Sequence, residues 1–350
     1  MLVTTWLACS APAPAPAPAP PAAPAPAPAP AVELTGTGLA WVSEATGAPA
    51  VRWAPSGGPT VAVPGLGDRP AFPAEPDPRG THLLAVTSED GPEGHRERLL
   101  LAPLTGGEPR ELASAQMVRN PRWLPDGSAI VYESDAQSFR DLYRTPRDGG
   151  PPTRLTTSEF GCFEPAVSFD GQWLAWGAST DGNAEIWVAR SDGSAPRRLT
   201  TEPTDDTAPA FLPDGRISWI ATRGGLPRVW VSDLSGADAR PLRPDATGAE
   251  LAVAWSSAGV AAVTVSPAPR EVDLALVRAD GALLAAVAGP GPDEHPAFSP
   301  DGAALAFSSA RDGAVGVWVA RVDGSALRKV SAGPGPDWLP RWLPAPRVTD

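Results

Sequence analysis

Cysteine is nearly missing from this sequence. Its 350 residues hold two, Cys9 and Cys162, too few for a disulfide framework. Histidine is almost as scarce, with His82, His95 and His295 only. His82 falls at the start of a short apolar run and His95 in a loop, so convergence on a metal ion is not expected. A lone thiol at Cys162 has no base nearby in sequence to activate it. Lysine is all but absent: 27 of the 28 basic residues are arginine, they form no stripe, and the net charge is −12. That balance argues against nucleic acid or anionic lipid as a partner recognised through charge. No stretch reaches the ~18 apolar residues of a membrane-spanning helix. No long segment keeps helical period between two caps. Nucleophile elbows, phosphate loops and His-Glu-x-x-His motifs are also lacking. No catalytic residue, cofactor or metal is therefore expected.

Proline and glycine are plentiful, at 45 and 35. Much of the proline lies in the Ala-Pro tract of residues 11 to 30. Elsewhere both residues recur at regular intervals between short apolar runs, as in an all-β chain with many turns. Thirteen tryptophans, most of them inside those runs, supply a large buried apolar area.

The amino terminus reads Met-Leu-Val-Thr-Thr-Trp-Leu-Ala-Cys. Its end, Leu7-Ala8-Cys9, resembles the close of a bacterial lipoprotein signal peptide. The resemblance implies cleavage after Ala8 and lipidation of Cys9. Trp6 stands where that family prefers an aliphatic residue, and the short apolar region has no positive flank. A start assigned inside the true signal accounts for the missing flank. Residues 1–9 are thus expected to be a partial signal and 10–35 a linker. Proline blocks helix and sheet there, so the tract should be polyproline II, a stiff spacer of roughly 60 Å.

The chain repeats itself. Asn120-Pro-Arg-Trp-Leu-Pro-Asp-Gly127 is echoed by Glu164-Pro-Ala-Val-Ser-Phe-Asp-Gly171, Ala208-Pro-Ala-Phe-Leu-Pro-Asp-Gly215 and His295-Pro-Ala-Phe-Ser-Pro-Asp-Gly302. The central residues Trp123, Val167, Phe211, Trp255, Phe298 and Trp342 follow at intervals of 44, 44, 44, 43 and 44. An earlier copy is centred on Phe72, 51 residues before Trp123. In each copy the marker lies in a first strand and Pro-Asp-Gly makes a tight turn. A second strand follows, such as Leu174-Ala-Trp176. A third carries an aromatic, as in Ile186-Trp187, and a short fourth reads Arg198-Leu-Thr200. Four antiparallel strands in about 44 residues make one propeller blade. These words resemble the TolB-type, WD-repeat-like propeller repeat from about residue 39 to 343.

The ends complete one another. Leu39-Ala-Trp41 matches a second strand with no first strand before it, and Pro340-Arg-Trp-Leu-Pro344 repeats Pro121-Arg-Trp-Leu-Pro125 with no blade after it. The expected fold is an all-β, seven-bladed propeller over residues 36–344, closed by both termini in one blade, with 345–350 as a tail. Six blades is the alternative count, because residues 64–114 are the least regular.

The resemblance implies a non-catalytic, monomeric scaffold of the periplasm or cell envelope that binds envelope proteins at a propeller face. The membrane is reached only through Cys9. TolB itself carries an α/β domain before its propeller, where this sequence has the Ala-Pro tract, so its specific partners do not transfer. The alternatives are a sugar lyase-like enzyme, or a carbohydrate or small-molecule binder in the central channel. The expected site is the face formed by the inter-blade loops. Its candidate residues are Glu164, Asp205, Asp206, Asp293 and Glu294, with Phe160 and Phe163 as apolar anchors and Asp181 and Asp312 from the neighbouring loop set. The Pro-Asp-Gly aspartates of the opposite face are expected to be consumed by their own turns.

Overall fold

A computed structural model describes residues 38–345 apart from 57, 93, 138 and 181. Cys9, the Ala-Pro tract, Asp181 and residues 346–350 fall outside them. The described chain forms seven four-stranded antiparallel sheets. Their innermost strands, in ring order, are Asp337–Leu343, Ala71–Pro76, Val118–Trp123, Cys162–Val167, Asp206–Phe211, Ala249–Trp255 and Asp293–Phe298. These head blades one to seven.

The second strands carry most of the packing. Gly38–Ser43, Ala129–Ser134 and Ala304–Ser309 are buried along their whole length, because a blade is covered on both sides by its neighbours. They therefore read as continuous apolar runs rather than alternating ones. Each core cluster spans two adjacent blades. Leu39, Trp41 and Trp342 of blade one pack on Ala306, Val317 and Val319 of blade seven. Seven such clusters join the seven blades into a ring.

Closure follows the expected pairing. Leu39 lies opposite Trp342 and Ser43 opposite Asp337. Blade one thus takes its inner strand from the far end of the chain, which removes two exposed sheet edges.

The Pro in each repeat marks an irregularity in the inner strand. Asn120, Glu164, Ala208, His295 and Leu339 each precede a proline and have φ of 47, 54, 52, 54 and 55°. Left-handed backbone is costly for such residues. Each sits where the ladder to the second strand slips register, as between Phe163 and Ala166. The strain is repeated at one level of the channel wall.

The turn aspartates behave as expected: Asp126, Asp170 and Asp301 accept main-chain N–H groups from Ser128, Gln172 and Ala303 at 2.8, 3.0 and 3.0 Å. The Ser128 N–H for Asp126, and the Ser168 and Ser299 hydroxyls followed by the main-chain N–H groups for Asp170 and Asp301, hold the carboxyls below the ordinary carboxylate range. The placement of Phe72 is corrected. Trp123 pairs with Ile130 and Pro76 with Leu83, so Pro76 is the counterpart of Trp123, 47 residues before it. Asp77 takes the place of Leu124 and is buried against Arg147 at 2.7 Å. Without an aromatic marker at Pro76, Phe72 drew the alignment four residues off.

Candidate propeller-face site

The acidic residues of the inter-blade face have obligations the sequence did not reveal. Asp206 and Asp293 are the first residues of inner strands and are fully buried. Asp206 Oδ2 accepts from Arg223 at 2.8 Å, and both Asp293 oxygens accept from Arg311, at 2.8 and 2.7 Å. Burial pushes the Asp206 carboxyl up to about 6, with Arg223 opposing the shift. Their reading as free loop carboxylates is corrected: the inner strands already begin at Asp206 and Asp293, and the acids fold inward onto arginine. Glu164 also lies in a strand, half-buried, and its Oε2 accepts the Ala208 N–H at 2.7 Å. Asp205 is exposed, but accepts the Ala184 N–H at 2.7 Å. Glu294 is half-buried on the inner strand of blade seven, and Asp312 is exposed and paired with Lys329 at 2.8 Å.

The same economy explains the Arg-Leu-Thr words. Thr156 Oγ1 accepts the Leu142 N–H at 2.9 Å and donates to Asp141 at 2.8 Å, while Arg154 pairs with the same carboxylate. Thr200, Glu185 and Arg198 repeat the arrangement one blade on. Much of the negative charge is therefore spent in pinning fourth strands to third strands.

The aromatic candidates fare differently. Phe163 is half-buried on its strand, beneath the Arg140 guanidinium at 5.1 Å. Phe160, in the loop between blades three and four, is 60% exposed. Beside it stands a residue the sequence reading missed: Phe139, 74% exposed, in the loop between the second and third strands of blade three. A Cβ placed on Gly161 would lie 3.5 Å from the Phe139 ring, so the two phenylalanines flank one glycine. Phe160 also lines a cavity of about 430 Å³ together with Leu155, Cys162, Trp176 and Trp187. Trp176 and Trp187 are cross-strand partners and stack with centroids 6.4 Å apart. The Trp187 Nε1–H is buried there without a partner among the described residues. Burial raises the Cys162 thiol to about 11, so it stays protonated at neutral pH and is a poor nucleophile.

The three histidines do not converge: His82 and His95 sit at opposite ends of one hairpin of blade two, and His295 is in blade seven. His82 opens the second strand of blade two beside Thr81 and Arg147, His95 bonds Asp90 on a hairpin, and His295 lies against Trp338 in the channel. Among the described residues no group of three or more His, Cys, Asp or Glu is placed to hold a metal ion.

A closed ring of seven four-stranded blades defines a β-propeller. Residues 157–285 match the family described as the TolB beta propeller domain. An uncharacterized protein of Agrobacterium fabrum is 33% identical over 133 residues, 38% of this chain and 45% of that protein. A TolB homolog of Chlorobium luteolum is 29% identical over 188 residues, 53% of this chain and 33% of its own. The chain thus spans less than half the length of these curated relatives. Among solved structures, TolB from Acinetobacter baumannii superposes with a TM-score of 0.57 at 18% identity, covering 88% of this chain and 67% of that one. Puromycin hydrolase, an enzyme, reaches 0.65 at 20% identity, covering 85% and 52%. Likeness at such identities shows the fold alone. The chain is a seven-bladed propeller that is similar to the TolB propeller over residues 157–285, at low identity to TolB itself.

Proposed function

We propose that this chain is a non-catalytic binding protein of the cell envelope, and that it presents the inter-blade face of blades three and four to a protein partner. One observation carries the reading: Phe160 stands in solvent at the mouth of a tryptophan-lined cavity, and Phe139, more exposed still, reaches the neighbouring Gly161. Large exposed aromatics at a pocket rim are the usual anchors of protein interfaces. Glu159, Glu202 and Asp205 are exposed in the inter-blade loops of the same face, so the fitting partner carries an apolar segment flanked by basic residues. Relatives named as Tol-Pal system proteins support an envelope setting. No helix of the described residues is long and apolar enough to cross a membrane. A lipid on Cys9 would supply the anchor, and mass spectrometry of the mature amino terminus tests it. An unmodified Met1 would reject the anchor.

The buried, protonated thiol and the scattered histidines support binding over catalysis. Replacing both Phe139 and Phe160 by serine should leave folding intact, since exposed loop changes cost within ~0.5 kcal/mol, and should abolish partner capture from envelope extracts. Undiminished capture by the doubly substituted protein would reject this face.

A further inference from the structure

The residue just before each marker forms one level of the channel wall. In ring order these are Arg341, Glu75, Arg122, Ala166, Ala210, Ala254 and Ala297. Three charged side chains from blades one to three thus face four alanines from blades four to seven. On the charged side a cavity of about 380 Å³ opens, lined in part by Phe72, Glu75, Val118, Arg122 and Arg341.

The two arginines are seated alike. Arg341 Nε donates to the main-chain oxygen of Ala74 in the next blade at 3.1 Å, and Arg122 Nε donates to that of Pro165 in its next blade at 3.3 Å. Glu75 lies between them. Its Oε1 accepts from Arg122 Nη1 at 2.9 Å and its Oε2 from the Trp123 N–H at 2.8 Å. Arg341 makes its remaining bond to a carbonyl, Pro340 O, at 3.0 Å. No ion pair to Arg341 is formed among the described residues. Arg119, at the same cavity, is already matched by Glu97 at 3.4 Å. Two guanidiniums therefore share one carboxylate, and one positive charge is left over. Burial and the nearby Arg122 lower the Arg341 guanidinium to about 10, which reports the same crowding of positive charge.

Arg341 is half-buried and the Arg122 side chain is 43% exposed, so the surplus charge is only partly hydrated and stays open to an anion. We infer that the channel wall of blades one to three is a binding site for a small organic acid, whose carboxylate or phosphate group is held between Arg341 and Arg122 and whose body lies in the cavity beside Phe72 and Val118. The guanidinium fork matches both oxyanions, and the cavity falls in the size range of small-molecule sites. Glu75 holds Arg122 in place and also competes with the ligand for it. This is a site on the channel axis, separate from the blade-three and blade-four face, and its test does not depend on that face.

Isothermal titration of the full chain with inorganic phosphate, acetate and citrate, at constant ionic strength in chloride, tests the inference. Saturable binding of at least one of the three is expected, and which one identifies the oxyanion. Arg341→Gln and Arg122→Gln should each weaken it at least tenfold. Glu75→Gln keeps an acceptor for the Trp123 N–H but removes the competing charge, and should tighten binding about tenfold. That gain cannot arise from misfolding, so it stands even if an arginine variant is unstable. Absence of saturable binding in both the unaltered protein and Glu75→Gln, or a Glu75→Gln affinity that is unchanged or weaker, would overturn the inference.

Discussion

The main-chain N–H of Glu164 donates to the side chain of Glu133 at 2.5 Å, so that a carboxylate of blade three carries the inner strand of blade four. Glu133 is fully buried, and also accepts from Asn120 Nδ2 at 2.6 Å and from Arg140 Nε at 2.8 Å. Glu164 repeats the gesture toward Ala208 of blade five. Left-handed backbone at Asn120, Glu164 and Ala208 turns these N–H groups and side chains toward such partners.

Replacing Glu133 by alanine strands three donors at once, one of them cationic. The expected cost is about 3–5 kcal/mol, read as a fall in the urea midpoint. Glu133→Gln keeps an acceptor for the Glu164 N–H and should cost clearly less. Equal losses in the two variants would count against the network.

Ring closure rests on Trp342. It is buried, packs against Leu39 and Trp41, and donates its indole N–H to Ala297 O at 2.9 Å. Trp342→Ala should cost about 3–5 kcal/mol, measured by denaturant titration. Deleting residues 338–350 should do more, because blade one loses most of its inner strand and two sheet edges open. A truncated protein melting at the unaltered temperature would contradict closure.

Asp206 makes stability depend on pH in a definite direction. Its carboxyl titrates at about 6 in the folded protein, against an ordinary value of 3.8. Between those values the folded state binds more protons than the unfolded one, so stability falls as pH rises. The contribution is fully present below pH 3.8 and is gone above about pH 6. Asp206→Asn keeps an acceptor for Arg223 and removes the titration. From pH 4 to pH 7 the Tm of the asparagine variant should gain about 3 °C on that of the unaltered protein. A gap that stays constant, or moves the other way, would show that Asp206 is ionised throughout.

What the sequence made legible follows from how local each signal is. Asp-Gly turns are set by a few adjacent residues, so Asp126, Asp170 and Asp301 announced the repeat directly, while the count of seven came from the 44-residue spacing. Closure was legible because Pro340 to Pro344 repeats Pro121 to Pro125 letter for letter. Blade two was misaligned because Pro76 replaced the aromatic marker and Asp77 the leucine after it. The site was harder to read. Asp206 and Asp293 looked like loop acids, since Arg223 and Arg311 lie 17 and 18 residues further on and meet them only through the blade fold. Phe139 stood alone in a loop that does not repeat. Its one signal was an aromatic where the equivalent loops of blades four and seven carry Asp-Gly.

Site-specific photo-cross-linking in the native envelope tests the central claim most directly, with a photoreactive phenylalanine analogue placed in turn at Phe139, Phe160 and Phe169. Phe169 is 41% exposed but lies in a Pro-Asp-Gly-type turn on the opposite face, so it reports chance encounter. Positions 139 and 160 should yield one shared protein adduct that excess unlabelled propeller competes away, and position 169 should not. Adducts of equal yield from position 169, or none from 139 and 160, would contradict the assignment of the partner-binding face.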